Sequence, residues 1–200
     1  MSSEQTKRDE ATQLRSDLIL QMAMEVFSEK GFYEADVEEI ALRANVGKGT
    51  VYNHFGNKQQ LFLCVVEWGL ESLKDLIISA TKEKSTFKEK INIALYTYFE
   101  FFEHRKNFFR VLVHEKSNFR EHSEKKFTKK YFSHLYLLEE AIQKGIDSCE
   151  LKRIDSHQCA VMLIGMSNAL IYDWFYRELN GRLIDRAVRV EEMFFNGISL

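Results

Sequence analysis

The sequence predicts an all-α protein, and three observations carry that prediction. None of its 200 residues is proline and only 9 are glycine, so few turns are enforced. Apolar residues recur three and four apart along most of the chain, the period of a helix face. The strict alternation of a half-buried strand is missing. Hydrophobic residues make up 45% and charged residues 29%, the balance of a chain that folds around a core rather than staying disordered.

The elements follow in order. Residues 1–13 read as a loose polar arm. From Leu14 a helical period sets in through Leu18, Met22, Ala23, Val26 and Phe27, and Gly31 ends it as a left-handed cap residue. A short helix follows. Asp36 is its expected N-cap, Glu39 the capping-box partner, and Val37, Ile40, Ala41 and Ala44 its apolar face. Asn45-Val46-Gly47 breaks the period. A second short helix, Lys48 to Phe55, turns Val51 and Phe55 inward. Gly56-Asn57 stops it, and Asn57 caps a long helix to about Glu83 with Leu61, Phe62, Val65, Leu73 and Ile77 as its stripe. Further helices are expected near 86–104, 107–116, 121–145, 155–179 and 185–197, with Gly145 and Gly181 at C-cap positions. The 155–179 helix is apolar on almost all sides, with Ala160, Gly165, Ser167 and Ala169 interspersed. Such a helix needs cover on both faces. In a chain of this size the second cover is expected to be another subunit.

Several function classes are excluded. No apolar run reaches the roughly 18 residues of a membrane span. The N-terminus MSSEQTKRDEATQLR lacks the apolar centre of a secretory leader. Cys64, Cys149 and Cys159 are too far apart for a disulfide framework or a zinc site, which fits a reduced, cytoplasmic setting. His104, His114, His122 and His134 lie ten, eight and twelve apart, not at metal-ligand spacing. No metal and no cofactor are therefore expected. Nucleophile-elbow, phosphate-loop, dinucleotide and zinc-protease motifs are missing, so an enzyme is not expected.

The two short helices around Asn45-Val46-Gly47 have the dimensions of a helix-turn-helix at about 36–55. A short second helix can enter the major groove, where base edges are distinguishable. Its N-terminus also attracts phosphate through the helix dipole and free N–H groups. The exposed side of this helix carries Lys48, Gly49, Thr50, Tyr52, Asn53 and His54.

Around these residues, FSEKGFYEADVEEIALRANVGKGTVYNHFGNKQQLF resembles the DNA-binding domain of the TetR family of transcriptional regulators, from about Leu14 to Leu63. The resemblance rests on Phe27 and Gly31, on valine-x-x-isoleucine-alanine in the second helix, and on GKGTVYNHF followed by an Asn-Lys start. It implies a DNA-binding domain over 1–57, joined by a long helix to a ligand-binding and dimerisation domain over 58–200. It further implies a homodimer on a palindromic operator, usually a repressor, released by a small molecule. The last two long helices would pair with those of the partner, with Gly165, Ala169 and Trp174 as candidate interface residues.

Lys48 and Lys58 stand where the family touches the DNA backbone. Tyr52 and His54 suit phosphate or sugar, whereas Asn53 suits adenine and Thr50 a thymine methyl. Packing on the preceding helix is the alternative for Tyr52. Residues 1–56 hold six Lys+Arg against ten Asp+Glu. Affinity is therefore expected from local charges, including Lys7, Arg8, Arg15, Arg43 and Lys48, rather than from a domain-wide field. Ala35-Asp36 and Gly47 depart from the family's usual hydroxyl residues.

Residues 86–145 are dense in aromatic rings. Tyr98, Phe99, Phe102, Phe109, Tyr131 and Asn168 are the candidate lining of a pocket for a small apolar or amphipathic effector. Residues 104–134 hold nine Lys+Arg against three Asp+Glu. That stretch reads first as a solvated face and, in a sharper version, as a basic mouth for an acidic head group such as that of a fatty acyl thioester. The alternatives to a regulator are a helical-bundle enzyme using the aromatic cavity and an adaptor that binds protein.

Overall fold

A computed structural model describes residues 2–118, 124–177 and 181–198, with side chains described for 8–112, 135–177 and 181–197. Every element among the described residues is helical. The helices are α1 (Ser2–Glu34), α2 (Val37–Arg43), α3 (Lys48–Phe55), α4 (Lys58–Thr81), α5 (Phe87–His104), α6 (Lys106–Asn118), α7 (Glu124–Asp147), α8 (Ser156–Tyr176) and α9 (Ala187–Ile198), with a single 3-10 turn, Leu183–Arg186, before α9. They gather into two compact units, Met1–Leu70 with Asn107–Glu124, and Glu71–Lys106 with Lys125–Leu200.

In the first unit, α1 begins at Ser2 and not near Leu14. The polar arm is helical because its Glu, Gln, Lys, Arg and Ala residues favour a helix without burial. Of this arm, residues 8–13 are described in their side chains, and they are exposed. Local bonds support the helix, with Gln13 donating to Asp17 at 3.0 Å. The buried stripe starts at Ile19, since Leu14 is 70% and Leu18 42% exposed. The sequence predicts that the helix ends at Gly31; instead Gly31 kinks it at φ 72°, ψ 175°, and helix resumes to Glu34. Phe27 and Phe62 are fully buried and meet edge to face at 4.9 Å, a favoured aromatic geometry.

Asp36 caps α2, accepting the Glu38 amide at 2.8 Å. The expected capping box does not form, because Glu39 turns outward to Lys30 and Arg43. Asn45 takes the left-handed conformation at φ 53° and reverses the chain between α2 and α3. Asn57 caps α4 through the Gln60 amide at 2.8 Å.

Gly69 of α4 marks a close approach. A Cβ there would lie 2.1 Å from the buried ring of Phe108. Gly69→Ala is expected to cost about 1–3 kcal/mol through overpacking. That appears as a fall of several degrees in Tm by circular dichroism. An unchanged melt would contradict this packing.

In the second unit, Thr86 and Glu89 form a reciprocal capping box at the start of α5. Its core includes Phe87, Ile91, Leu95, Phe99, Phe102, Ile142, Leu163, Ile171 and Leu183. Gly145 is not the C-cap the sequence led us to expect. It sits inside α7, where a Cβ would lie 2.8 Å from the Phe87 ring, and the left-handed residue beyond the helix is Cys149 at φ 60°. Gly181 is left-handed at φ 98°. The chain entering α9 is pinned by Glu103, which accepts the Ile184 amide at 2.9 Å and lies 3.5 Å from Arg182. Asp173 pairs with Arg177 at 2.9 Å, as the i,i+4 spacing predicts, and also with Arg186 at 3.2 Å.

Helix α8 has two unlike faces. Cys159, Ala160, Leu163, Ser167, Ile171 and Trp174 are buried, whereas Val161, Met162, Gly165, Ala169 and Tyr176 are exposed. By length and composition it is the one described helix apolar enough to cross a membrane, with 33% of that window buried. Ser167, Asn168 and Asp173 interrupt its apolar residues, so no uninterrupted apolar run in it reaches spanning length.

Candidate nucleic-acid interface

The surface is built on α3. Val51 is 1% exposed and anchors the helix, and Phe55 is half-buried beside it. A helix held on one side by these positions turns Lys48, Gly49, Tyr52, Asn53 and His54 outward, and all five are exposed. Thr50 is half-buried, and Tyr52 is 39% exposed, too open for a core ring. A Cβ on Gly49 would meet nothing within 4 Å, so packing within the chain does not require glycine there. Gly47 caps α3 with no side-chain bond, which leaves amide donors at its N-terminus without a side-chain acceptor.

The basic residues near this face are engaged. Arg43 holds Glu29 with two bonds, at 2.9 and 2.7 Å, and Glu39 with a third at 2.8 Å. The Arg43 bond is the main reason that the Glu29 carboxyl lies below its usual range. The Lys30 bond and then that of Arg43 lower Glu39. These pairs brace α2 against α1. Lys58 donates to the Tyr33 carbonyl at 2.8 Å and lies 5.1 Å over the Phe32 ring, so it is tied to the end of α1. Lys48 reaches Glu38 at 3.3 Å and Asp36 at 3.8 Å. The Glu38 bond is the main cause raising the Lys48 pKa. Arg15 is exposed on α1.

Sequence reasoning missed Glu29 and Glu38 as partners of these bases. Only Glu39, four residues before Arg43, lay at a spacing that announces a helical pair. Glu29 is fourteen residues from Arg43 and Glu38 ten from Lys48, each on a different helix.

Of the candidate pocket residues, Tyr98, Phe99, Phe102 and Asn168 fall in the second unit. Phe99 and Phe102 are buried, at 0% and 3% exposure. Tyr98 packs on Phe102 at 5.0 Å and donates to Asn168 Oδ1 at 2.8 Å. Asn168 thus has a partner in its own chain. Phe109 is buried in the first unit. The side chains of Tyr131 and of residues 113–134 generally, most of the basic stretch 104–134, lie outside the described ones. Within that stretch, Arg105 lies 4.4 Å over the Phe101 ring. Gly165 and Ala169 are exposed, but Trp174 is not on their face. Trp174 is 8% exposed, its indole donates to the Gly181 carbonyl at 3.1 Å, and Lys106 lies 4.6 Å over its ring.

Two family models match this chain. Bacterial regulatory proteins of the tetR family match residues 19–65, and the tetracyclin repressor-like C-terminal domain matches 84–191. The chain belongs to the TetR family of transcriptional regulators. Family membership makes it a ligand-responsive DNA-binding regulator and sets aside the helical-bundle enzyme. This TetR-family regulator is 28% identical to the HTH-type transcriptional regulator YhgD of Bacillus subtilis over 160 residues, 80% of this chain and 84% of that one. It is 25% identical to the fatty acid metabolism regulator protein of Bacillus subtilis over 181 residues, 90% of this chain and 93% of that one. Its fold matches the crystal structure of FadR from Bacillus subtilis in complex with stearoyl-CoA, with a TM-score of 0.84 at 24% identity, over 90% of this chain and 97% of that one.

Proposed function

We propose that the protein is a homodimeric, cytoplasmic repressor that holds a palindromic operator through α3 and releases it on binding a long-chain acyl thioester. The observation that carries this reading is the outward row Lys48, Tyr52, Asn53 and His54 on a helix anchored by Val51. In this reading Asn53 and Thr50 face base edges, and Lys48, Tyr52 and His54 face the backbone. Gly49 lets the backbone of α3 come close to the duplex. Arg15 supplies a backbone contact from α1. Arg43 and Lys58 act mainly by fixing the angle of the reading head, since both are held within the protein.

Residues 1–57 serve DNA reading, and residues 58–200 serve effector binding and dimerisation. The exposed apolar face of α8, with Val188 and Met193 of α9, is the proposed dimer contact. The acyl effector is favoured by the likeness to a fatty acid metabolism regulator and to a fold that holds stearoyl-CoA. Tyr98 and Asn168 offer a polar pair beside Phe99 and Phe102, the mixture an amphipathic ligand needs.

The test is a salt titration of binding to the DNA upstream of the protein's own gene. Lys48→Ala is expected to weaken all duplexes alike and to flatten the salt dependence, by at most about one unit of slope per subunit. Asn53→Ala is expected to relax sequence choice and leave the slope unchanged. Parent-like binding by both variants would overturn the placement of α3.

A further inference from the structure

Lys48 is an exposed lysine at the N-terminus of α3, and it does not face solvent alone. Two carboxylates from the start of α2 reach it, Glu38 at 3.3 Å and its N-cap Asp36 at 3.8 Å. Side-chain exposures of 43% for Lys48, 75% for Glu38 and 64% for Asp36 make this a loose, water-exposed group. Arg43 differs, since Glu29 and Glu39 clasp it with three bonds of 2.7–2.9 Å. A carboxylate offers a lysine the same chemistry as a phosphate oxygen, an anionic acceptor at hydrogen-bond range. The two therefore compete for one ammonium group.

We infer that Glu38, with Asp36, occupies on Lys48 the place that a DNA phosphate takes in the complex, and so acts as a sequence-independent brake on duplex binding. The inference rests on the reading of α3 as the groove-entering helix. Every duplex, operator or not, must displace Glu38 from Lys48. The cost is the same for each sequence. Specificity is left to Asn53 and Thr50, while idle attachment to bulk DNA is held low. An acidic reading domain is then a feature of the design: six basic and ten acidic residues in 1–56 suit a protein that must leave DNA readily. The brake also limits what Lys48→Ala can remove, because part of the lysine's charge is already spent in the free protein.

The test substitutes Glu38 and not Asp36, because Asp36 also caps α2. Full-length Glu38→Gln, Lys48→Ala and the double variant are compared with the parent by fluorescence anisotropy on sheared, mixed-sequence duplex DNA and on the upstream DNA, across a salt titration. Circular dichroism confirms the fold of each. Glu38→Gln is expected to tighten binding to both DNAs by the same factor, up to about fivefold per subunit. Its salt slope is expected to steepen by up to about one unit per subunit. Both gains are expected to vanish in the Lys48→Ala background. Parent-like binding by Glu38→Gln overturns the inference. So does a gain that survives Lys48→Ala, which would make Glu38 a direct repeller of phosphate. If Lys48→Ala leaves binding to every duplex unchanged in the Glu38→Gln background as well, the placement of α3 fails instead.

Discussion

Gly165→Arg is expected to sediment as a monomer and to bind a two-half-site operator about 10²–10⁴-fold more weakly, because the second reading head loses its effective concentration. The geometry makes the variant specific. A Cβ at Gly165 meets nothing within 4 Å of its own chain, so the folded subunit accepts the side chain. Neighbours on the same face of α8, Val161 and Met162, are 46% and 59% exposed, a row of apolar surface that a partner helix would cover. An arginine in the middle of that contact carries charge into a closed, apolar place, where an unpaired ion is costly. Trp174→Ala is a contrasting control. That ring is buried in its own unit, and its loss is expected to lower Tm before it changes assembly. A parent protein that sediments as a stable monomer, or a Gly165→Arg dimer, would remove this interface.

Stearoyl-CoA is expected to raise Tm and to weaken operator binding by about 5–150-fold, the usual span of a coupling between two sites. Both effects follow if the ligand prefers the state that cannot hold DNA, since a ligand shifts an equilibrium only through differential affinity. The structure guides the choice of variants. Phe99 and Phe102 are candidate lining, but both rings are buried. Truncating such a ring costs roughly 3–5 kcal/mol of stability, which would mask a change in ligand response. Tyr98→Phe keeps the ring and removes only the hydroxyl that bonds Asn168. It is expected to weaken the acyl-CoA response while unliganded DNA binding stays as in the parent. An effector that raises Tm in the parent and never changes DNA affinity would rule out allosteric release.

The reading head was legible in the sequence because its punctuation is local. Asp36, Asn45, Gly47, Gly56 and Asn57 are cap and turn residues, and the buried positions Val37, Ile40, Ala41 and Val51 lie between them. Signals that span helices were less visible. Residues 2–13 carry no apolar stripe in the sequence, yet they belong to α1, where Glu, Gln, Lys, Arg and Ala favour a helix and Thr12 and Gln13 make local bonds. Gly145 looked like a cap, because a sequence does not show that the Phe87 ring lies against it. The acidic partners of Arg43 and Lys48 were hidden for a similar reason. An excess of acid over 1–56 was countable, but its placement against particular bases is a tertiary fact. The all-round apolarity of α8 was legible in its composition, and Val161 and Met162 carry it onto the exposed side of the helix. The inward turn of Trp174 depends on the chain beyond α8, where Gly181 offers its carbonyl.

Nuclease footprinting of the DNA upstream of the protein's own gene, with and without stearoyl-CoA, tests the central claim most directly. The account predicts protection of two symmetric half-sites about one helical turn apart, or a multiple of it, lost when stearoyl-CoA is added. Protection that acyl-CoA never relieves would contradict the effector. Failure of the intact dimer to protect any duplex would contradict the reading of α3 itself.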